Sequence, residues 1–326
     1  MIVGRRKFIE VAALSATGLA LSSRSSFAEE PIKIGILIPG AINDHGWMES
    51  AYNGMKGAEA AYGKKIKVTY IENVKFADMQ QALVQLASKN PYVIGAAGQT
   101  QASVLKVAER FPHVKFTIVG PTGQPTKNVS QYDVLQAQIG FVAGAVAAML
   151  SKNGAVSYVG GLQIPAIVNT GTEFGNGAKY INPKIKYFAA YTGDFDDVAK
   201  AKEATLAAIA QGADVHYNIL NLGIRGMEQA AREKGTHIIG SYTNYCAEKN
   251  PLYIAYTVSG IGFMLRYAID QIVAGTWHPE YKQFGLAMGP QSAGIDICTG
   301  ATPEMLAKVK EIENDLLSGK IKVLAD

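Results

Sequence analysis

The chain has 326 residues, 48% of them hydrophobic and 18% charged, with 34 Gly, 12 Pro and only 2 Cys. At roughly 100–200 residues per domain it holds two cores, and its composition excludes a disordered chain. Two cysteines without C-x-x-C spacing exclude a disulfide scaffold, a zinc ribbon and a thioredoxin motif. The formal charge of +4 invites a nucleic-acid partner only if the charges lie in the folded part of the chain.

They lie largely in the leader. Arg5, Arg6 and Lys7 precede the uncharged run Val11–Leu21 and a small-residue site, Ser26-Phe27-Ala28. This layout is that of a signal peptide over residues 1–28, cleaved after Ala28. The apolar run is too short for a hydrocarbon core of about 30 Å. Gly4-Arg5-Arg6-Lys7-Phe8-Ile9 resembles a twin-arginine export signal, with the general secretory route as the alternative. No Cys stands at the cleavage site to take a lipid. Without residues 1–28, which hold Arg5, Arg6, Lys7 and Arg24 against Glu10, the chain has 27 basic and 26 acidic residues. A near-neutral, soluble periplasmic protein is expected, with no nucleic-acid partner.

The mature chain alternates strand and helix. Residues 31–39 read as a strand, 46–62 as a helix, 67–71 as a strand and 77–89 as a helix. Residues 92–97, 103–111 and 115–119 continue as strand, helix and strand, and 129–135 as a further strand after a Pro/Gly/Thr connector. A second series follows. It has helices over 138–150, 169–180, 196–211 and 226–234, the third capped by Asp196. Its strands cover 155–159, 186–191, 215–219 and 237–241. Gly171, Gly175 and Gly177 read as close-packing or turn residues. Residues 254–258 and 260–275 are expected to return to the first lobe, and Thr302-Pro303-Glu304 opens a last helix. The pattern implies an α/β protein with two doubly wound parallel sheets. The lobes are set at 29–134 with 255–297, and 135–254 with 298–326.

Several chemistries are missing. The first βα turn, Gly40-Ala41-Ile42-Asn43-Asp44-His45-Gly46, is not a dinucleotide fingerprint, and no phosphate-loop, H-E-x-x-H or nucleophile-elbow motif occurs. The five histidines have no metal spacing and read as surface or strand-end residues. Asp194, Asp196 and Asp197 read as helix-capping acids rather than cation ligands. No cofactor, metal or catalytic residue is expected.

Ligands of open α/β sheets sit at the carboxyl ends of the strands. Those ends carry Asn43, Asp44 and Trp47, then Gln99 and Thr100, then Gly120. In the second series they carry Gly161, Phe195, Asn221, Tyr242, Thr243 and Asn244, with Tyr256 on the returning segment. The set is aromatic and neutral-polar, without Arg or Lys. It suits a flat uncharged ligand and not a phosphorylated one.

Asn43-Asp44-His45-Gly46-Trp47 with Ser50-Ala51-Tyr52 and Gly54 resembles the D-x-x-F/W-N-x-x-x-Y-x-G segment of the basic membrane protein family. These are exported substrate-binding proteins of ATP-binding-cassette importers. Phe111–Phe116, Gly140–Ala148, Tyr158–Gly161, Gly177-Ala178-Lys179 with Ile181-Asn182-Pro183, and Gln211–Val215 fall in register with it. The resemblance implies a type I periplasmic-binding-protein fold with a three-segment hinge, a purine nucleoside or nucleobase as ligand, and an inner-membrane permease as partner.

It also implies stacking by Trp47 and Phe195 and orientation by Asp44. Gln99, Asn221, Thr243 and Asn244 read the ligand's edge, and Tyr242 and Tyr256 wall the pocket. Where ribose-binding members carry an acid this chain has Tyr242-Thr243-Asn244, and where they carry a Lys it has Gly260-Ile261-Gly262. Another family acid is replaced by Gly120. These departures favour a free nucleobase or a related heterocycle, and a monomer is expected. A nucleoside or flavin binder, a periplasmic sensor subunit, and an exported purine- or amide-acting enzyme using Asp44 or His45 are the alternatives. Pairing of Cys246 with Cys298 is left open.

Overall fold

In the computed structural model, residues 30–120 and 123–324 are described, so the leader expected over residues 1–28 lies outside the described residues. The first series runs β1 (Ile32–Ile38), α1 (Trp47–Tyr62), β2 (Ile66–Glu72), α2 (Met79–Ala87), β3 (Tyr92–Gly95), α3 (Gln101–Arg110), β4 (Lys115–Val119) and β5 (Val129–Val134). The second runs α4 (Gln136–Leu150), β6 (Ala155–Gly160), α5 (Pro165–Ile181), β7 (Lys186–Tyr191), α6 (Val198–Ala210), β8 (Val215–Ile219), α7 (Ile224–Lys234), β9 (His237–Ser241) and β10 (Tyr253–Val258). The chain finishes with α8 (Ile261–Val273), β11 (Tyr281–Phe284), β12 (Gly294–Ile297) and α9 (Pro303–Leu317).

Two sheets result, in the orders β11-β5-β4-β3-β1-β2 and β12-β10-β9-β8-β6-β7. Every named pairing is parallel except β10 with β12. A parallel strand buried on both faces should be apolar throughout, and β1 shows why. Ile34, Ile36 and Ile38 face the cluster that holds Met55 and Leu265, while Leu37 faces the opposite cluster with Leu83 and Val104. Helix α4 is apolar nearly all round because it is wrapped: it packs against α5, α9 and the second sheet. No helix among the described residues is long and apolar enough to cross a membrane.

The chain passes between the sheets after β5, after β10, and between β11 and β12. Two expected boundaries move. The segment 254–258 belongs to the second sheet, because β10 pairs with β9, so the crossing falls at Ser259-Gly260 rather than at 255. Helix α8 returns to the first lobe, against α1, where Gly54 lies against the Gly262 carbonyl, and β11 follows it as the partner of β5. The strand 294–297 likewise lies in the second sheet, as the antiparallel partner of β10. Strands β11 and β12 span four residues each with polar members, too short for a period-2 signal to register.

Local expectations resolve similarly. Asp197, not Asp196, caps α6 by accepting from the Lys200 N–H, and Asp196 instead accepts from the Leu222 N–H. Thr302 caps α9 with Pro303 at its first position. Gly171, Gly175 and Gly177 sit where a Cβ would strike Tyr158, Tyr187 and the Phe141 carbonyl, so they are close-packing residues. His216 is no surface residue. It is fully buried, its ring nitrogens 2.7 Å from Ser157 Oγ and 2.9 Å from Thr236 Oγ1, and burial pushes it down to about 4.

Cys246 and Cys298 are joined in a disulfide across 52 residues of sequence, tying the loop after β9 to the end of β12. Closing a loop of that length constrains the unfolded chain by about 2–4 kcal/mol. The C246S/C298S variant is therefore expected to lose that much in urea unfolding. A reductant should lower the wild type to the same level and leave the variant unmoved.

Candidate functional site

The strand ends of the two sheets enclose a cavity of about 440 Å³. From the first lobe it is lined by Trp47, Met48, Ala97, Gly98, Gln99, Gln101, Gly120, Asp133, Val134 and, at the crossing, Gln136. From the second come Leu162, Ile164, Pro165, Ala166, Ile167, Phe195, Ile219, Asn221 and Tyr242. The volume lies within the range of about 300–1,000 Å³ typical of small-molecule sites. Among the described residues, the lining contains no Lys, Arg or His and one acid.

Each large ring is seated on a glycine of its own lobe. The Trp47 indole lies over Gly120, where a Cβ would come within 2.2 Å of Cζ2, and its Nε1 donates to the Ala96 carbonyl at 2.8 Å. Gly120 also has φ +85°, a conformation that favours glycine. In the second lobe Phe195 lies over Gly161, where a Cβ would come within 2.2 Å of Cδ1. Both rings are half-buried. The lobes touch at the cavity's edge: Tyr242 meets Trp47 edge-on at 6.2 Å and 66°, and Asn221 Oδ1 approaches Gly46 too closely for any side chain there.

Of the expected site residues, the structure brings together Trp47, Gln99, Phe195, Asn221 and Tyr242 around this cavity. Thr243 and Asn244 line a second cavity of about 260 Å³, which Tyr242 also lines. Asp44 lines neither cavity. Its carboxylate accepts from the N–H groups of Gly46 at 2.8 Å, Glu49 at 3.0 Å and Met48 at 3.2 Å, so it is consumed by the first turn of α1. Burial pushes this carboxyl upward, the three N–H donors oppose the shift, and Asp196 nearby adds to it. Asn43 is exposed beside the cavity-forming turn and outside its lining. Thr100 is fully buried, its hydroxyl donating to the Ala97 carbonyl at 2.7 Å under Gly95. Tyr256 points into the second lobe, donating to Asp296 across the β10–β12 pair at 2.6 Å.

Three polar lining residues were missed: Gln101, Asp133 and Gln136. The last two sit at the carboxyl end of β5 and the start of α4, and extending the strand-end rule to the crossing would have found them. Asp133 accepts from the Val134 N–H at 2.9 Å and the Tyr281 hydroxyl at 3.0 Å, and burial pushes its carboxyl upward. Gln136 is 4% exposed, and its Oε1 is buried without a hydrogen-bond partner. A buried acceptor left unmatched costs about 1–3 kcal/mol.

Comparison with known proteins bears on the family and the fold. Residues 32–318 match the family model described as ABC transporter substrate-binding protein PnrA-like, Bmp. A purine-binding protein of Brucella abortus (strain 2308) is 26% identical over 91% of this chain and 86% of its own length. An ABC transporter nucleoside-binding protein, BmpA, of Lactococcus lactis subsp. cremoris (strain MG1363) is 23% identical over 98% of this chain and 99% of its own. Among solved structures, an ABC transporter solute-binding protein from Conexibacter woesei DSM 14684 superposes with a TM-score of 0.75 at 24% identity, covering 90% of this chain and 99% of that one. The two sheets are thus those of a type I periplasmic binding protein, and the chain belongs to the Bmp family of ABC transporter substrate-binding proteins.

Proposed function

We propose that this protein captures a purine nucleobase, or a related flat uncharged heterocycle, between its two lobes in the periplasm and delivers it to an ABC permease in the inner membrane. The observation that carries the reading is the cavity itself. Trp47 and Phe195 enter from opposite lobes, while the remaining described lining is apolar or amide-bearing apart from Asp133 and Tyr242 and includes no basic group for a phosphate. Ring faces sandwich a flat ligand, and amides read its edge. Gln136 adds a further amide-bearing residue to the lining at the crossing. The names of the Brucella and Lactococcus relatives point the same way.

Such a ligand touches both lobes only when they are closed, so it shifts the open–closed equilibrium by its differential affinity for the closed form. The permease then meets a closed surface in proportion to the ligand bound. No bond is made or broken. Mass spectrometry of the small molecules released on denaturing the freshly purified protein tests the identity of the ligand. A purine base is expected in the released fraction. A stoichiometric sugar, amino acid or phosphorylated nucleotide would overturn the assignment.

A further inference from the structure

The cavity between the lobes is chemically lopsided. Gln99, Gln101, Asp133 and Gln136 bring amides and an acid to it from the first lobe and the crossing. One segment of the second lobe does the reverse. Leu162, Ile164, Pro165, Ala166 and Ile167 all line the cavity, and none carries a side-chain donor or acceptor. Gln163, the polar member of this run, is exposed and stands outside the lining.

Two of these apolar residues stand where folding alone would not place them. Leu162 is 42% exposed and Ile164 47% exposed, so neither completes the core. Ile164 also occupies the N-cap of α5 and makes no side-chain cap bond, with Pro165 opening the helix behind it. Ser, Thr, Asp or Asn at an N-cap accepts from a helix N–H, and isoleucine is among the poorest residues there. An exposed apolar cap forgoes stability. What compensates is an apolar group that enters the cavity and covers it.

A bare purine meets this wall badly. Its edge carries ring nitrogens and N–H groups, and any of them pressed on the 162–167 segment loses water without gaining a partner. An alkyl group on that edge reverses the balance, since each buried CH₂ adds about 4-fold in affinity. We propose that the heterocycle captured here carries N-alkyl substituents, which pack on Leu162, Ile164 and Ile167 while its polar edge faces the amides of the first lobe. The proposal rests on the purine reading above and adds what the ring carries.

The test is calorimetric titration of the ligand-stripped wild type and of L162S/I164S. The panel pairs adenine with N6,N6-dimethyladenine and 9-ethyladenine, and xanthine with 1,3-dimethylxanthine. Two added carbons in at least one pair should tighten binding to the wild type about 10-fold or more. In L162S/I164S that preference should fall to about 3-fold or less, while the melting temperature stays at or above that of the wild type because serine is a good cap. A wild type that prefers no alkylated ligand by that margin overturns the proposal, and purine capture stands. A preference that survives in the variant overturns it, as does an equal loss of affinity for parent and alkylated ligand, which would assign the segment to lobe closure. A marked fall in melting temperature overturns it too, since the two residues would then be structural. A wild type that binds no member of the panel overturns the purine reading, and the proposal with it.

Discussion

Trp47→Ala is expected to weaken binding of the base about 10–100-fold, because stacking of a base on an aromatic ring contributes about 1–3 kcal/mol. The side chain has no structural substitute at this position. Its Nε1 is fixed to the Ala96 carbonyl and its ring rests on Gly120, so the indole plane is set before any ligand arrives. Fluorescence separates this from a general loss of structure. The chain has two tryptophans, and Trp277 is buried away from the cavity, donating to Thr117 Oγ1 at 3.0 Å. In the wild type, ligand should change the emission. In Trp47→Ala the remaining Trp277 emission should ignore ligand while the melting transition is retained. A ligand-dependent change of full amplitude in that variant would remove Trp47 from the site.

The second large effect is on stability and lies where α4 crosses α5. A Cβ on Gly144 would come within 1.9 Å of the Phe174 carbonyl oxygen and 2.9 Å of the Ala178 nitrogen. These are backbone atoms of the neighbouring helix and cannot rotate aside. Gly144→Ala must therefore push α4 off α5, and α4 also packs against α9 and the second sheet. Overpacking of this kind costs about 1–3 kcal/mol and at times more, against a gain of about 1 kcal/mol for alanine over glycine in a helix. With two backbone atoms this close the cost lies at the top of that range, and a net loss of about 2 kcal/mol is expected in urea unfolding. Gly57→Ala in α1 is the matched control, since nothing lies within 4 Å of its added Cβ. It should gain about 0.5–1 kcal/mol. Equal effects at the two sites would contradict the helix-crossing explanation.

The legibility of this protein in its sequence follows from what each signal measures. The βα alternation is legible because β1, β4 and β6 are short apolar runs and α1, α2 and α3 carry helical stripes. The family blocks are legible because they fix close contacts, such as Gly177 on the Phe141 carbonyl. The cavity is legible only to the level of which loop approaches it. Asp44 and Trp47 share one loop, yet the Asp44 carboxylate is taken up by the N–H groups of α1 while the indole faces the cleft. Gln99 and Thr100 are neighbours, and one lines the cavity while the other is buried under Gly95. Side-chain direction one residue apart is set by backbone geometry that no composition reports. Tyr256 failed for the same reason, its strand turning that face into the second lobe toward Asp296.

Among the described residues, none that lines the cleft is basic. What the cleft offers is two ring faces from opposite lobes, the amide-bearing residues Gln99, Gln136 and Asn221, and a wall at Tyr242. Calorimetric titration of the ligand-stripped protein with a panel of purine bases, alongside adenosine monophosphate and glucose, tests that account most directly. It predicts one-to-one binding of at least one base and no binding of the phosphorylated nucleotide or the sugar. Binding of the nucleotide or glucose with no response to any base would contradict it.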